Sequence, residues 1–99
     1  MRNITVQELK KRMDNGENLL IVDVREPAEY ADFNIGAKLI PLGQVMSLQL
    51  DELEDHKNDE IIVHCKAGMR SMQACMMLEQ AGFTDVVNVE GGMDAWRNM

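Results

Sequence analysis

The sequence predicts an α/β fold: a three-layer arrangement with a mostly parallel sheet flanked by helices on both faces. Three observations carry that prediction. Short apolar runs recur along the 99 residues, each followed by a segment with helical spacing, and strand–helix alternation favours parallel pairing. The runs are continuous rather than alternating, as in Leu19-Leu20-Ile21-Val22, which suits strands covered on both sides. The length leaves room for one domain, residues 1–99, and no second one.

The elements follow in order. Thr5 begins a capping box that Glu8 can answer, Val6, Leu9 and Met13 share a helical face, and Gly16 can close that helix. Leu19 to Val24 reads as a buried strand. Pro27 suits the first position of a short helix that continues from Ala28 to Phe33. Lys38 to Pro41 reads as a short strand ended by its proline. Apolar residues at 42, 45, 46, 50 and 53 predict one amphipathic helix over 42–53. Ile61 to Val63 is a strand running into His64 and Cys65. Met69 to Ala81 is helical and ended by Gly82, Val86 to Val89 is the last strand, and Gly92 to Arg97 the last helix.

Composition excludes several classes of function. Seventeen acidic residues against ten basic ones give a net charge of −7, which argues against nucleic acid and against an anionic membrane surface. The longest apolar run, Ala74 to Leu78, is five residues, far short of the ~20 that cross a bilayer. No charged start followed by an apolar stretch appears near Met1, so a cytoplasmic location is expected. Two cysteines, Cys65 and Cys75, cannot build a disulfide framework, and two histidines without a CxxC pair do not make a four-ligand zinc site. Nine methionines beside four aromatic residues are expected to fill the core.

One loop carries the chemistry. Cys65 ends a predicted central strand and is followed by Lys66-Ala67-Gly68-Met69-Arg70-Ser71 at a helix start. Small residues at Ala67 and Gly68 let successive amides curve inward, and such a nest at a helix N-terminus attracts an anion. A cysteine at a strand end is by default a small buried hydrophobe. Here the amides, the helix dipole, Lys66 and Arg70 would all stabilise a thiolate, which nominates Cys65 as a nucleophile.

His64-Cys65-Lys66-Ala67-Gly68-Met69-Arg70-Ser71 resembles the active-site loop of single-domain rhodaneses, the thiosulfate sulfurtransferases. Leu20 to Pro27 with Glu29-Tyr30, Ile35-Gly36-Ala37 through Ile40-Pro41-Leu42, and Val89-Glu90-Gly91-Gly92-Met93-Asp94-Ala95-Trp96 resemble three further segments of that family. The four segments occur in order from Leu20 to Trp96, and the resemblance extends over about residues 4–97. One departure is Asn34-Ile35-Gly36-Ala37, where the family usually has His-Ile-Pro-Gly-Ala.

The resemblance implies a rhodanese-like fold and a double displacement through a Cys65 persulfide, with no metal or organic cofactor. The implied partners are a small anionic sulfur donor and a thiol or protein-thiol acceptor, and a monomer is expected. Lys66, Ala67, Gly68, Met69, Arg70 and Ser71 are the implied substrate-binding residues. Four residues separate Cys65 from Arg70, whereas related phosphatases have five, so the tighter loop suits one sulfur atom and a thiosulfate-type donor. An alternative is a persulfide carrier that delivers sulfur to a partner protein. Asp23 and Arg25 are read as supporting residues that cap the turn and pair with each other. His64 should point away from Cys65, since neighbouring strand residues face opposite ways. His56 reads as a solvated loop residue. Cys75 is assigned to core packing on a stripe with Met72 and Met76, and Trp96 to anchoring the last helix.

Overall fold

A computed structural model describes all 99 residues. Its strands are β1 (Arg2–Ile4), β2 (Ile21–Asp23), β3 (Lys38–Leu39), β4 (Glu60–His64) and β5 (Asp85–Val89). Its helices are α1 (Val6–Asp14), α2 (Pro27–Asp32), α3 (Leu42–Met46), α4 (Met69–Gln80) and α5 (Gly92–Arg97), with a 3-10 segment over Asp51–His56. The five strands form one sheet in the order β1-β5-β4-β2-β3, every pair parallel. Parallel strands need crossover helices, and these cover both faces, so the α/β three-layer architecture is as predicted.

The continuous apolar runs are explained by two cores. Val22, Val24, Ile61, Val63, Cys65 and Val86 face a cluster completed by Val45, Leu53, Ala74, Cys75 and Leu78 from α3, the 3-10 segment and α4. Ile21, Ile62, Val87 and Val89 face the other way, against Val6 and Leu9 of α1, with Ala95 and Trp96 of α5 packed on that cluster. Neighbours along β4 therefore serve opposite cores, as the pleat requires. No helix is long and apolar enough to cross a membrane.

The helix signals act as expected where they are local. Thr5 Oγ1 accepts from Glu8 N at 3.1 Å and Glu8 Oε1 accepts from Thr5 N at 3.2 Å, completing the capping box. Gly16 and Gly82 take positive φ just beyond α1 and α4. The predicted helix over 42–53 is corrected. It ends at Met46, because Leu48 N bonds Val45 O at 3.0 Å and Gln49 N bonds Gln44 O at 3.0 Å. That is a Schellman stop with Leu48, not glycine, at φ 59. Leu50 and Leu53 still reach the core from the 3-10 segment, so the apolar spacing was sound while the element was not continuous.

Two further expectations are corrected. The edge strand β1 was not anticipated. Its three residues have too little pattern of their own and are set by pairing Arg2, Asn3 and Ile4 with Val87, Asn88 and Val89. The methionines are mostly not core: Met93 is buried, but Met1, Met46, Met69, Met72, Met76 and Met99 are exposed. Cys75 is buried without Met72 and Met76 beside it in the core.

Candidate active site

The site lies beyond the carboxyl end of β4, where parallel sheets place their loops. Cys65 follows β4 directly and is almost fully buried, 1% exposed. Residues 66–68 then wrap around its sulfur before α4 begins at Met69. Gly68 makes that path possible. It caps α4 at φ 111 and donates its amide to Cys65 Sγ at 3.1 Å, and a residue with a side chain adopts such a φ only under strain.

The start of α5 fixes the loop from the other side. Met93 N donates to Cys65 O and Asp94 N to Lys66 O, both at 2.9 Å. Gly92, at φ 52, lies so close beneath these carbonyls that a Cβ there would stand 2.4 Å from Cys65 O and 2.7 Å from Lys66 O. Gly92 of the C-terminal motif is thus a contact surface for the Cys65 loop, while its neighbour Gly91 leaves room for Ala95.

Burial pushes the Cys65 thiol up, but the Ser71 hydroxyl and the amides of Ser71, Gly68 and Ala67 outweigh it. The thiol stands below its ordinary value as a result, so loop hydrogen bonds act in the direction a nucleophile needs. Cys75, one turn further along α4, has no such partners. Burial is the main cause that pushes its thiol up to about 12, and both cysteines are free.

The predicted cations are present at the loop, each facing a carboxylate. Arg70 makes a two-pronged pair with Glu29 of α2, Nη1 to Oε1 at 2.7 Å and Nη2 to Oε2 at 2.9 Å. Arg70 holds the Glu29 carboxyl down at about 2. Lys66 Nζ donates to both Asp94 carboxylate oxygens at 3.1 Å in an exposed pair. Neither Glu29 nor Asp94 was anticipated as part of the site, since partners 41 and 28 residues apart leave no local signal. Met69 is 77% exposed at the mouth.

Asp23 and Arg25 form a buried structural pair. Arg25 Nε donates to both Asp23 oxygens at 3.0 Å, its Nη2 to Oδ2 at 2.7 Å, and Nη2 also reaches Phe33 O at 2.6 Å. His64 is wholly buried, its Nδ1 3.4 Å from Cys65 O and its Nε2 3.7 Å from Asp23 Oδ2 with no hydrogen-bond partner. Burial pulls its pKa below the ordinary value, so it stays neutral. His56, expected in a solvated loop, instead ends the 3-10 segment and is half-buried, its Nδ1 2.9 Å from Asp59 Oδ2. At the motif departure, Asn34 Oδ1 accepts from Gly36 N at 2.9 Å while its Nδ2 donates to Tyr30 O at 3.0 Å.

Two clefts flank the loop. One of about 320 Å3 is lined by Asn3, Ala67, Gly68, Met69, Met72 and Asn88, together with Glu90 and Gly91. A smaller one of about 110 Å3 contains Arg25, Glu29, Lys66 and Asp94. A larger cavity, about 600 Å3 beside Arg12, Leu20 and Glu60, lies at the amino ends of the strands and away from Cys65.

Comparison with known proteins agrees with this geometry. Residues 5–99 match the model of the rhodanese-like domain. The chain is 33% identical to a sulfurtransferase of Allochromatium vinosum, covering 97% of this chain and 88% of that protein. It is 40% identical to YrkF of Bacillus subtilis, a putative sulfur carrier protein, but spans only 49% of it. It is 38% identical to the Mycobacterium tuberculosis probable adenylyltransferase/sulfurtransferase MoeZ, of which it spans about a quarter (24%). A rhodanese-like domain protein from Staphylococcus aureus superposes with a TM-score of 0.84 at 41% identity, covering 97% of this chain and 91% of that one. With the domain match spanning nearly the whole chain and the same fold in a solved relative, this chain belongs to the rhodanese-like family of sulfurtransferases and sulfur carriers.

Proposed function

We propose that this protein transfers sulfane sulfur through a Cys65 persulfide, taking it from thiosulfate or a similar small anion and passing it to a thiol or protein thiol. The Cys65 thiolate attacks the outer sulfur of thiosulfate. A Cys65 S–S bond forms, the donor's S–S bond breaks, and sulfite leaves with that electron pair. An acceptor thiolate then attacks the terminal sulfur, forming its own persulfide and restoring the Cys65 thiolate. Such a double displacement predicts ping-pong kinetics. The carrying observation is the Cys65 sulfur at the loop floor, accepting from the Gly68 amide at 3.1 Å. In this reading Lys66, Ala67, Met69 and Arg70 form the substrate-binding surface, Ser71 is buried behind the sulfur, and Asp23 with Arg25 supports the loop. A cytoplasmic setting, where thiols stay reduced, suits a free thiolate.

A second reading is a persulfide carrier that delivers to a partner protein. The pairing of Arg70 with Glu29 and Lys66 with Asp94 favours it, because it weakens the pull on a small dianion. Intact-protein mass spectrometry after brief thiosulfate treatment tests the shared chemistry. The parent should gain one sulfur atom that cyanide removes, and Cys65→Ser should gain none. No gain in the parent refutes the thiosulfate reaction. Slow steady-state turnover beside ready single loading supports the carrier.

A further inference from the structure

Behind the sulfur, Ser71 heads a chain of side chains that continues to residues the mechanism above does not use. Ser71 Oγ lies 3.5 Å from Cys65 Sγ, 3.0 Å from Gly68 O and 2.5 Å from Asn88 Oδ1. Asn88 Nδ2 in turn donates to Asn3 Oδ1 at 3.0 Å. Ser71 and Asn88 are both buried, so solvent cannot substitute freely for a lost partner. Asn3 sits on the exposed edge strand β1.

A hydroxyl carries a single proton, and this sets the direction of the chain. With Cys65 as a thiol, S–H donates to Ser71 Oγ, Ser71 donates to Asn88 Oδ1, and Asn88 Nδ2 donates to Asn3. A thiolate can only accept. Ser71 must then turn its proton to the sulfur, which leaves Ser71 Oγ facing Asn88 Oδ1 as acceptor against acceptor. Turning the Asn88 amide over removes the conflict, for Nδ2 then donates to Ser71 Oγ and Oδ1 faces Asn3. The Asn3 amide, on the exposed edge, can turn in the same way to donate. Asparagine is suited to this role because it presents a donor and an acceptor on one rotor.

We propose that Asn88 is a positioning residue that switches the Ser71 hydroxyl from accepting from the Cys65 thiol to donating to the Cys65 thiolate, with Asn3 as the far end of the chain. No covalent bond changes within the chain; the thiol proton leaves to water. The inference rests on Cys65 working as a thiolate. Its readout is the ionisation of Cys65 and does not require sulfur transfer.

The test is the pH dependence of iodoacetamide alkylation, followed site by site by mass spectrometry on the full chain. Asn88→Asp accepts but cannot donate, and Asn88→Leu does neither. Asn88→Asp holds the Ser71 proton and should raise the alkylation midpoint by about one pH unit, the scale of one hydrogen bond to a charged group, whereas Asn88→Leu leaves that proton free for the sulfur and should raise it far less. Ser71→Ala should add little on top of Asn88→Asp, because both withdraw the same Ser71 proton from the sulfur. Asn3→Asp gives an exposed variant that need not disturb folding. It accepts only, so it locks the chain in its thiol direction and should raise the midpoint in high salt as well as low, whereas a bare charge effect is screened.

The variants leave in place the other ionisable groups near the sulfur: Cys75 in α4, Arg70 with Glu29 of α2, Lys66 with Asp94 of α5, and His64 in β4. Melting temperatures that fall while every midpoint stays at the parent value would overturn the proposal and reduce Asn88 to a packing residue. A shift for Asn3→Asp that vanishes in high salt would also overturn it.

Discussion

The docking of the Cys65 loop onto α5 predicts a large effect from one methyl group. In Gly92→Ala the added Cβ would stand 2.4 Å from Cys65 O and 2.7 Å from Lys66 O, far inside van der Waals contact, and both neighbours are backbone atoms that cannot rotate away. These carbonyls accept from Met93 N and Asp94 N at 2.9 Å, so relief of the overlap must lengthen both bonds. Each backbone bond contributes about 1 kcal/mol net. A left-handed conformation costs a residue with a Cβ about 1–2 kcal/mol, and overpacking typically adds 1–3 kcal/mol, here taken as about 1–2. The total is roughly 4–6 kcal/mol, a large share of the 5–15 kcal/mol available to a domain of this size. At about 4–8 °C per kcal/mol, the melting temperature should fall by at least 15 °C. Thermal unfolding followed by circular dichroism measures it. Gly43→Ala is the control: Gly43 lies inside α3 with nothing within 4 Å of the added Cβ, so this variant should match the parent or gain up to about 1 kcal/mol. A Gly92→Ala protein that melts within a few degrees of its parent would refute the close-approach argument, and with it the idea that α5 fixes the loop.

Other outcomes follow from the same site. Glu29→Gln frees the Arg70 guanidinium, so kcat/KM for thiosulfate should rise on the order of threefold at low salt and less at high salt; a fall would mean that Arg70 needs Glu29 for its placement. Iodoacetamide on native protein at about pH 8 should give a single adduct, at Cys65, because the Cys75 thiol is pushed up to about 12; a second adduct at Cys75 would contradict its burial. His64 is held neutral when folded, with its pKa lowered by burial. Stability is therefore full above the unfolded value near 6.5 and is lost as pH falls from there toward the folded value, where the loss levels off. The urea midpoint should be lower at about pH 5 than at about pH 7.5, and His64→Gln should flatten that difference; an equal slope in both proteins would exclude His64 as the cause. Mild peroxide should oxidise Met69 and Met76 well before Met93, as peptide mapping can show, since only Met93 among these three is buried.

What the sequence determined by itself was everything decided within a few residues. Continuous apolar runs announced strands covered on both faces, and Thr5 with Glu8, Gly16 and Gly82 marked helix ends through hydrogen bonds that close within six residues. The spacing from Cys65 to Ser71 was likewise enough to place a cysteine beneath loop amides, because a nest is built from consecutive N–H groups. The tertiary structure decided the rest. Leu48 stops a helix without a glycine because the packing of Leu50 and Leu53 draws the chain onward into the core. β1 exists only because β5 offers it a ladder 85 residues away in the chain. Six of the nine methionines stayed outside, and the cores are filled mainly by Val, Ile, Leu and Ala. Glu29 meets Arg70, Asp94 meets Lys66, and Asn88 meets Ser71 across separations of 41, 28 and 17 residues. Such pairs are set by which helix lies over which strand, a choice made by burial across the whole chain, and so the electrostatics around Cys65 could be read only once the chain had folded.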